Sequence, residues 1–490
     1  MDVILQFMDL KLLALLAGGV VGGTLVGALP GLTASMGIAI MIPMTFGLPA
    51  VTGLVMLIGI YFGAIYGGCI SAILVKTPGT PSSAATVLDG YPLAQKGQAG
   101  KALGMATVAS FVGGLFSAVV LIFLAPQLAR VALNFGPAEY FSLAVFGLTI
   151  IASLSKDILK GVMTGCLGLM FSTVGADPLT GIYRFTFGMV GFSEGIAFIP
   201  ALIGLFAISE VFIQAEKSMQ GEMVTRTISG LLPTMREFKE SFRTMIRGSV
   251  IGTFIGIIPG TGSAISSWIS YNEAMRASKT PEKFGTGHLE GVAASESANN
   301  AVTGGALIPL LALGIPGDAP TAVLIGGILI QGLVPGPMLF KEQPELIQGI
   351  FVGSIIANIF MLIFGLLCVK LYAKVLNTPQ KILTLAIILF CFMGSYSING
   401  NVFDLYTMLA FGLLGYILQK NGFSLPALCI AMILGPIAER NLRLALVMSD
   451  DSPLIFLTSP ISAIFLGIAF LSAIWPLVRR WRDGRKQNPC

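Results

Sequence analysis

Residues 51–81 read VTGLVMLIGIYFGAIYGGCISAILVKTPGTP, and this stretch sets the fold class. Its first part, Val51 to Val75, contains no charged side chain. About 20 apolar residues are enough for a helix to cross roughly 30 Å of hydrocarbon. The run is apolar on all sides, whereas strands of a membrane barrel alternate apolar and polar residues. Because Pro78-Gly79 follows directly, the stretch predicts a membrane helix that leads into a broken segment.

Similar apolar runs recur along the whole chain. Only 11% of the 490 residues are charged, against about 25% in soluble proteins. A mean hydropathy of +0.87 over this length requires apolar surface that faces lipid. We therefore predict an all-α polytopic membrane protein with about 10 to 14 transmembrane segments. The further runs are Leu10 to Leu29, Ala102 to Ala125, Phe141 to Leu154, Gly195 to Ile213, Ile350 to Val369, Ile382 to Met393, Leu405 to Leu418 and Ile455 to Trp475.

The residues of common catalytic sites are scarce. His288 is the single histidine, and the six cysteines show no paired spacing. This composition argues against a zinc site and against a Ser-His triad. The chain also has no glycine-rich loop ending in Gly-Lys-Ser or Gly-Lys-Thr, so ATP is not expected to drive it. We expect neither an enzyme nor a cofactor, and we keep an intramembrane enzyme and a passive anion channel as the alternatives to a transporter.

The two halves of the chain carry matching motifs in the same order. Pro30-Gly31 in the first half is matched by Pro259-Gly260 in the second, and Pro78-Gly79 is matched by Pro316-Gly317. Such a series predicts an internal duplication, which is common in secondary transporters, and we favour inverted copies. The predicted organisation is a first transmembrane repeat over residues 1–214, a polar linker over 215–246, a second transmembrane repeat over 247–476 and a basic tail over 477–490.

The basic tail predicts the orientation of the chain. Positive residues next to a membrane span mark its cytoplasmic side, so the C-terminus is expected in the cytoplasm. Topology explains the cluster more simply than nucleic-acid binding does, and no nucleic-acid partner is expected. The basic residues of the tail are Arg479, Arg480, Arg482, Arg485 and Lys486.

The Pro-Gly pairs are the predicted binding positions. Proline removes an amide donor, and glycine permits backbone angles that other residues avoid. Inside a membrane such breaks persist only where protein or a water-filled site satisfies the freed backbone groups. A broken helix points its positive N-terminal end at the gap, and such ends bind carboxylates. Freed carbonyl oxygens suit a hard cation. Broken or re-entrant helices around a carboxylate and a cation are therefore predicted.

Small hydroxylated residues follow the breaks, and two amides enter the apolar run before Pro316. Hydroxyl and amide groups can donate to a carboxylate, although helix packing is the alternative role for each hydroxyl. Ser110 lies in an apolar run away from the breaks, and its replacement is expected to do little. The predicted substrate-binding residues are Gly79, Thr80, Ser82, Ser83, Thr86, Asn299, Asn300, Gly317 and Asp318. The predicted ion-binding residues are Pro30, Gly31, Thr33, Pro259, Gly260 and Thr261.

With these residues in view, the sequence resembles the large membrane subunit of the tripartite tricarboxylate transporter family. The resemblance covers nearly the whole chain, and the long run from Lys76 to Pro92 is its most specific part. One position departs from the family pattern: Ser295 stands where proline is expected before Glu296, so the resemblance assigns Glu296 no firm role. The other matching stretches are 27–33, 256–262, 284–294 and 314–317.

The resemblance implies a system of three components in the bacterial inner membrane. These are this permease, a small membrane subunit and a soluble periplasmic protein that delivers a carboxylate. It implies uptake of a tricarboxylate or related acid driven by an ion gradient. Sodium is expected as the co-transported ion rather than the proton, because few titratable side chains lie within the spans while freed carbonyl oxygens suit a hard ion.

Overall fold

The computed structural model describes residues 7, 9–154, 157–177, 179–216, 232–375 and 380–472. Their regular structure is helical, apart from one antiparallel pair of short strands, β1 (Gly175–Ala176) and β2 (Tyr183–Arg184). The α-helices are α1 (Leu10–Ala28), α2 (Ala34–Met41), α3 (Ala50–Val75), α4 (Val87–Gln95), α5 (Ala99–Ala132), α6 (Pro137–Leu154), α7 (Ile158–Ser172), α8 (Phe198–Ile203), α9 (Ser209–Glu216), α10 (Met235–Ile257), α11 (Gly262–Ala277), α12 (Leu289–Leu313), α13 (Ala319–Ile330), α14 (Met338–Glu342), α15 (Pro344–Leu367), α16 (Val369–Val375), α17 (Gln380–Asn399), α18 (Val402–Lys420), α19 (Leu425–Met448) and α20 (Ile455–Thr458).

Within the described residues, eight helical segments are long and apolar enough to cross a membrane. Four shorter apolar helices accompany them, at Ala34–Thr45, Leu159–Ser172, Ala319–Ile330 and Pro460–Ser472. The predicted all-α polytopic membrane protein is therefore confirmed, and the finer count of about 10 to 14 segments stays a prediction. The eight segments are Leu10–Ala28, Ala50–Val75, Ala99–Ala132, Phe198–Glu216, Pro344–Leu367, Ile382–Asn399, Val402–Lys420 and Leu425–Met448.

The chain forms two compact units, and each unit takes segments from both halves of the sequence. The first unit comprises Met1–Ala129 and Phe206–Asn401, and the second comprises Arg130–Leu205 and Val402–Cys490. These bounds differ from the predicted repeats, whose division stays a prediction. Part of the predicted linker is helical, because α10 begins at Met235 behind a capping box. The basic tail, residues 477–490, lies outside the described residues.

The four matched Pro-Gly pairs belong to the first unit, and each separates two helical segments. Gly31 and Gly260 have φ angles of +90° and +81°, which glycine adopts without steric strain. The chain is thus broken where the sequence predicts. Pro30-Gly31 separates α1 from α2, Pro78-Gly79 follows α3, Pro259-Gly260 separates α10 from α11, and Pro316-Gly317 separates α12 from α13.

Glycines allow α1 to pack directly on α3 and α10 on α12. A Cβ atom added at any of six glycines would meet a backbone carbonyl of the facing helix. Small residues at such positions let helix backbones approach closely within a membrane. On α1 and α3 the pairs are Gly19 with Met56, Gly23 with Ile60 and Gly27 with Ala64. On α10 and α12 they are Gly248 with Ala294, Gly252 with Ala298 and Gly256 with Val302.

Helix α12 lies in the interior of the first unit. All of its residues from Gly291 to Ala312 are buried. Its start is fixed by the buried carboxylate of Asp89, which accepts hydrogen bonds from the backbone amides of Gly287 and His288, each at 2.8 Å. The hydroxyl of Tyr271 donates to the same carboxylate at 2.8 Å. Because α12 is enclosed, the polar side chains of its first half face protein rather than lipid.

The second unit contains a network of charged residues beside the β1–β2 pair. Arg443 donates to Asp177 at 2.8 Å, and Arg184 donates to Glu439 at 2.6 Å. The backbone amide of Leu179 and the guanidinium of Arg443 hold the pKa of the Asp177 carboxyl below its usual range. The network joins the strand pair to α19, so it orders the connection that follows α7.

The glycine contacts generate a prediction about stability. Replacing Gly252 by alanine places a methyl group 2.7 Å from the Cβ of Ala301 and against the Ala298 backbone. We expect this change to destabilise the protein by about 1–3 kcal/mol, as overpacking does in protein interiors. The measurement is the melting midpoint of the purified full-length protein, followed by fluorescence-detected size-exclusion chromatography.

Gly22 is the matched control, since nothing lies within 4 Å of a Cβ atom added there. Alanine at this helical position should keep the stability or raise it by about 0.5–1 kcal/mol. Equal midpoints for the two variants would show that the close approach of α10 and α12 is not required.

Candidate functional site

The first half of α12 carries an acid and two amides that are fully enclosed. Glu296 and Asn299 are 0% exposed, and Asn300 is 1% exposed. Ionisable and amide groups inside a membrane protein are costly to bury, so this group is the candidate functional site. We call this group and its partners Thr86, Ser110 and Ser295 the Glu296 cluster.

Three side chains donate hydrogen bonds to the Glu296 carboxylate. The Thr86 hydroxyl donates to Oε1, while the Ser110 hydroxyl and the Asn299 amide donate to Oε2, each at 3.4 Å. Thr86 also bonds to the Ser295 hydroxyl at 2.9 Å. No lysine, arginine or histidine in the described ranges forms an ion pair with Glu296. All donors to this carboxylate are thus neutral, and its charge has no counter-charge among the described side chains.

Asn300 supports this arrangement through its amide nitrogen. Nδ2 donates to the Ser110 hydroxyl at 2.8 Å and to the Glu296 carbonyl oxygen at 3.2 Å. The expectation that Ser110 lies apart from the site is therefore wrong, because the tertiary fold turns this buried face of α5 towards Asn300 and Glu296. A single serine in an apolar run gives no sequence signal of such a contact.

A second set of hydroxyls follows the Pro78-Gly79 break. Thr80 Oγ1 lies 2.7 Å from Ser82 Oγ and 3.4 Å from Ser83 Oγ, and all three residues are buried. Gly68 of α3 faces this group, since a Cβ atom there would lie 2.6 Å from Ser83 Oγ. The amide of Gly79 is not free, because it donates to the Gly68 carbonyl at 3.2 Å. We call Thr80, Ser82 and Ser83 the hydroxyl cluster.

Asp318 caps the N-terminus of α13. Its Oδ1 accepts from the backbone amide of Thr321 at 2.9 Å, and its Oδ2 accepts from the Tyr61 hydroxyl at 2.6 Å. Both carboxylate oxygens therefore have partners within the protein. Tyr61 is not among the predicted site residues, although the offset that separates Pro316 from Pro78 also separates Asn299 from Tyr61. Its contact with Asp318 joins α3 to the break after α12.

The predicted ion-binding residues lie in two places. At the first break Gly31 is exposed, and a Cβ atom added there would lie 3.2 Å from Gln214 Nε2. The Thr33 hydroxyl accepts a hydrogen bond from the Met36 amide and so caps α2. At the other break, the Gly260 amide donates to the Gly317 carbonyl at 2.7 Å. The fold thus brings Gly260 to Gly317, and Gly31 to α9.

The Thr261 hydroxyl donates to backbone carbonyls beside the Pro259-Gly260 break. It donates to the carbonyl oxygens of Ile255 at 2.5 Å and Ile258 at 2.9 Å. Pro259 is buried beside it. These two carbonyl oxygens therefore have a donor from the chain itself, whereas the carboxylate of Glu296 has no cation among the described side chains.

Glu296 is the main residue that the predicted site omits. A signal for it was present, because an acid within a segment that leads into an apolar run is itself evidence of function. The fold adds Ser110, Ser295 and Tyr61, which contact predicted residues from separate helices. Of the predicted substrate residues, Thr86, Asn299 and Asn300 meet at Glu296, while Thr80, Ser82 and Ser83 form their own group.

Comparison with known proteins identifies the family. The sequence model of the tripartite tricarboxylate transporter TctA family matches residues 13–430. An uncharacterised 52.8 kDa protein in the TAR-I ttuC' 3' region of Agrobacterium vitis is 40% identical over 469 residues, which cover 95% of this chain and 93% of that protein. An uncharacterised protein in the TAR-II ttuC' 3' region of the same organism is 39% identical over 236 residues, covering 48% of this chain and 98% of that protein. No solved structure matches the chain. The chain therefore belongs to the tripartite tricarboxylate transporter TctA family.

Proposed function

We propose that the protein is the permease of a secondary active transporter that imports a carboxylate together with cations across the bacterial inner membrane. Family membership supplies the transporter class, and it excludes the intramembrane enzyme. The observation that carries the proposal is the buried Glu296 cluster, enclosed among helices broken at Pro-Gly pairs. We further propose that a small membrane subunit and a periplasmic binding protein complete the system, and that the C-terminus is cytoplasmic.

Matched contacts support a duplicated transporter build. The six interhelical glycines form two triads, and the second triad follows the first at the same sequence offset that separates Pro259 from Pro30. The residues that these glycines meet on α3 and α12 share the offset that separates Pro316 from Pro78. Gly79 likewise approaches the Gly27 carbonyl, and Gly317 approaches the Gly256 carbonyl. Chance would not place equivalent residues in equivalent contacts, so we propose two inverted copies with about 10 to 14 membrane segments in all.

The hydroxyl cluster is the proposed contact for the substrate carboxylate. Thr80, Ser82 and Ser83 are buried, uncharged and able to turn their protons outwards, as an anion requires. Asn299 and Thr86 instead point donors at Glu296, and the acid would repel a second carboxylate in direct contact. Asp318 would do the same. The predicted substrate site is therefore narrowed to the hydroxyl cluster with Gly79 and Gly317 at the adjoining breaks.

Import of an anionic carboxylate against an inside-negative membrane potential requires coupling to cation import. Moving one charge across 100 mV releases or costs about 2.3 kcal/mol, so importing a trianion against an inside-negative potential costs roughly 7 kcal/mol per 100 mV. Co-transported cations must offset at least this charge. A passive anion channel has no means of doing so, and it would not profit from a delivery protein. This reasoning favours symport.

Counterflow tests the carrier. Proteoliposomes with the complete system are loaded with one unlabelled acid from a panel of tri-, di- and aromatic monocarboxylates, and labelled acid is added outside. If the protein is a carrier, labelled acid should accumulate transiently inside the proteoliposomes for at least one acid. The carrier exchanges external labelled acid for internal unlabelled acid, and this exchange needs no net flux. Label that only equilibrates with its gradient for every acid would point to a channel.

Ser83→Ala tests the hydroxyl cluster. A hydrogen bond to a charged group contributes about 1.5–3 kcal/mol, so its loss should raise the half-saturation constant for the substrate roughly 10- to 100-fold. The measurement is initial uptake at equal membrane expression. Ser249→Ala is the matched control, because that buried hydroxyl donates to the Met245 carbonyl of its own helix at 2.7 Å. Equal constants for both variants would remove Ser83 from the substrate site.

Sodium is the proposed coupling ion, and ion replacement tests it. Uptake should fall to background when sodium is replaced by choline, because an imposed sodium gradient then no longer exists. A protonophore should leave sodium-driven uptake in place. The opposite pattern, uptake that survives in choline and collapses with the protonophore, would assign coupling to protons.

A further inference from the structure

The side-chain oxygen of Asn299 is buried without a partner. Asn299 is 0% exposed, and Oδ1 accepts no hydrogen bond from any residue that the structure describes. Leaving a buried acceptor unsatisfied costs about 1–3 kcal/mol. The amide nitrogen has acceptors, at 3.4 Å from both Glu296 Oε2 and the Ile65 carbonyl oxygen. Turning the amide over would set its oxygen against these two acceptors, so the placement is the better of the two.

The same amide contacts, through its nitrogen, a carboxylate without a counter-charge. Glu296 receives hydroxyl and amide donors, but within the described chain no basic side chain pairs with it. An ionised carboxylate that is shielded from water is strongly disfavoured unless a positive charge or a metal neutralises it. An amide oxygen without a donor and an acid without a counter-charge thus belong to one enclosed group, and a cation can satisfy both.

We propose that Glu296, Asn299, Thr86 and Ser110 bind the sodium ion that the transporter carries. This assignment rests on the proposed symport function and replaces the backbone carbonyls at the Pro30 and Pro259 breaks as the ion site. Hard cations take oxygen ligands, and this group offers a carboxylate, an amide oxygen and two hydroxyls. Each hydroxyl can turn its proton away and present a lone pair.

The oxygen groups of Glu296, Asn299, Thr86 and Ser110 favour a monovalent cation as their ligand. One carboxylate among neutral oxygens balances a single positive charge, which favours a monovalent ion over a divalent one. A proton on Glu296 would neutralise the acid but leave Asn299 Oδ1 without a partner. A carboxylate substrate would add a negative charge next to Glu296. A sodium ion satisfies both groups at once.

The site also explains how the ion and the substrate are coupled. Thr86 lies shortly after Ser83 in the chain, and its backbone amide donates to the Ser83 carbonyl at 3.2 Å. A cation that draws the Thr86 hydroxyl into its ligand shell therefore acts on the same short segment that carries the hydroxyl cluster. It also neutralises an acid that would otherwise repel an arriving anion. Sodium bound first thus prepares the segment for the carboxylate.

Sodium binding by the purified full-length protein tests the site without any substrate. The melting midpoint is measured in sodium chloride and in choline chloride at constant ionic strength. A ligand that binds only the folded state raises stability in proportion to the logarithm of its concentration above the dissociation constant. The wild-type protein should be stabilised saturably by sodium and not by choline or potassium. Glu296→Gln and Asn299→Ala should weaken apparent sodium affinity by about 10- to 100-fold.

Two further variants keep the test decisive. Ser249→Ala should retain wild-type sodium affinity, and Thr86→Ala serves if Glu296→Gln does not give monodisperse protein. Wild-type sodium affinity in the Glu296, Asn299 and Thr86 variants would overturn the site, as would a wild-type protein that responds to pH but not to sodium. Failed counterflow with intact sodium binding would count against the proposed function alone. Normal counterflow with unaltered sodium affinity in the variants would count against this site alone.

Discussion

A polar group enclosed within a membrane protein must find its partner in the protein or in a ligand, because lipid offers none. Helix α12 meets this constraint in an unusual way. It is buried along almost its whole length, yet its first half carries Glu296, Asn299 and Asn300. Partners come from three other parts of the first unit: Thr86, Ser110 on α5 and the Ile65 carbonyl on α3. The assembly of these segments around α12 is what makes a transport site feasible.

Close helix packing is the condition for this assembly. Glycines on α1 let its backbone touch that of α3, and glycines on α10 let its backbone touch that of α12. The polar half of α12 is therefore covered by protein. Asp89 then fixes the start of α12 through the amides of Gly287 and His288. A helix held in this way has little freedom to move its acid towards water. The acid therefore stays enclosed, and we propose that a cation carried by the transporter neutralises it.

The backbone groups at the Pro-Gly breaks are less free to bind a ligand than proline and glycine chemistry alone suggests. Proline and glycine free backbone groups, but the chain reuses several of them: Thr261 donates to two carbonyls, Gly260 to Gly317 and Gly79 to Gly68. The breaks thus shape the segments that carry the proposed side-chain ligands. The hydroxyl cluster and Thr86 both lie on such a segment, directly after Pro78-Gly79.

The membrane class, the helical breaks and the polar stretch on α12 follow from the sequence, because apolar run length, proline chemistry and charge in an apolar context act locally. The sequence also indicated Thr86, Asn299 and Asn300. Asn299 and Asn300 lie next to Glu296 through the helical repeat alone. Helix packing was needed to bring Thr86 and Ser110 to them and to set Tyr61 against Asp318. Those contacts connect residues from opposite halves of the chain through helix packing. A lone serine or tyrosine in an apolar run carries no local trace of the helix that it will face.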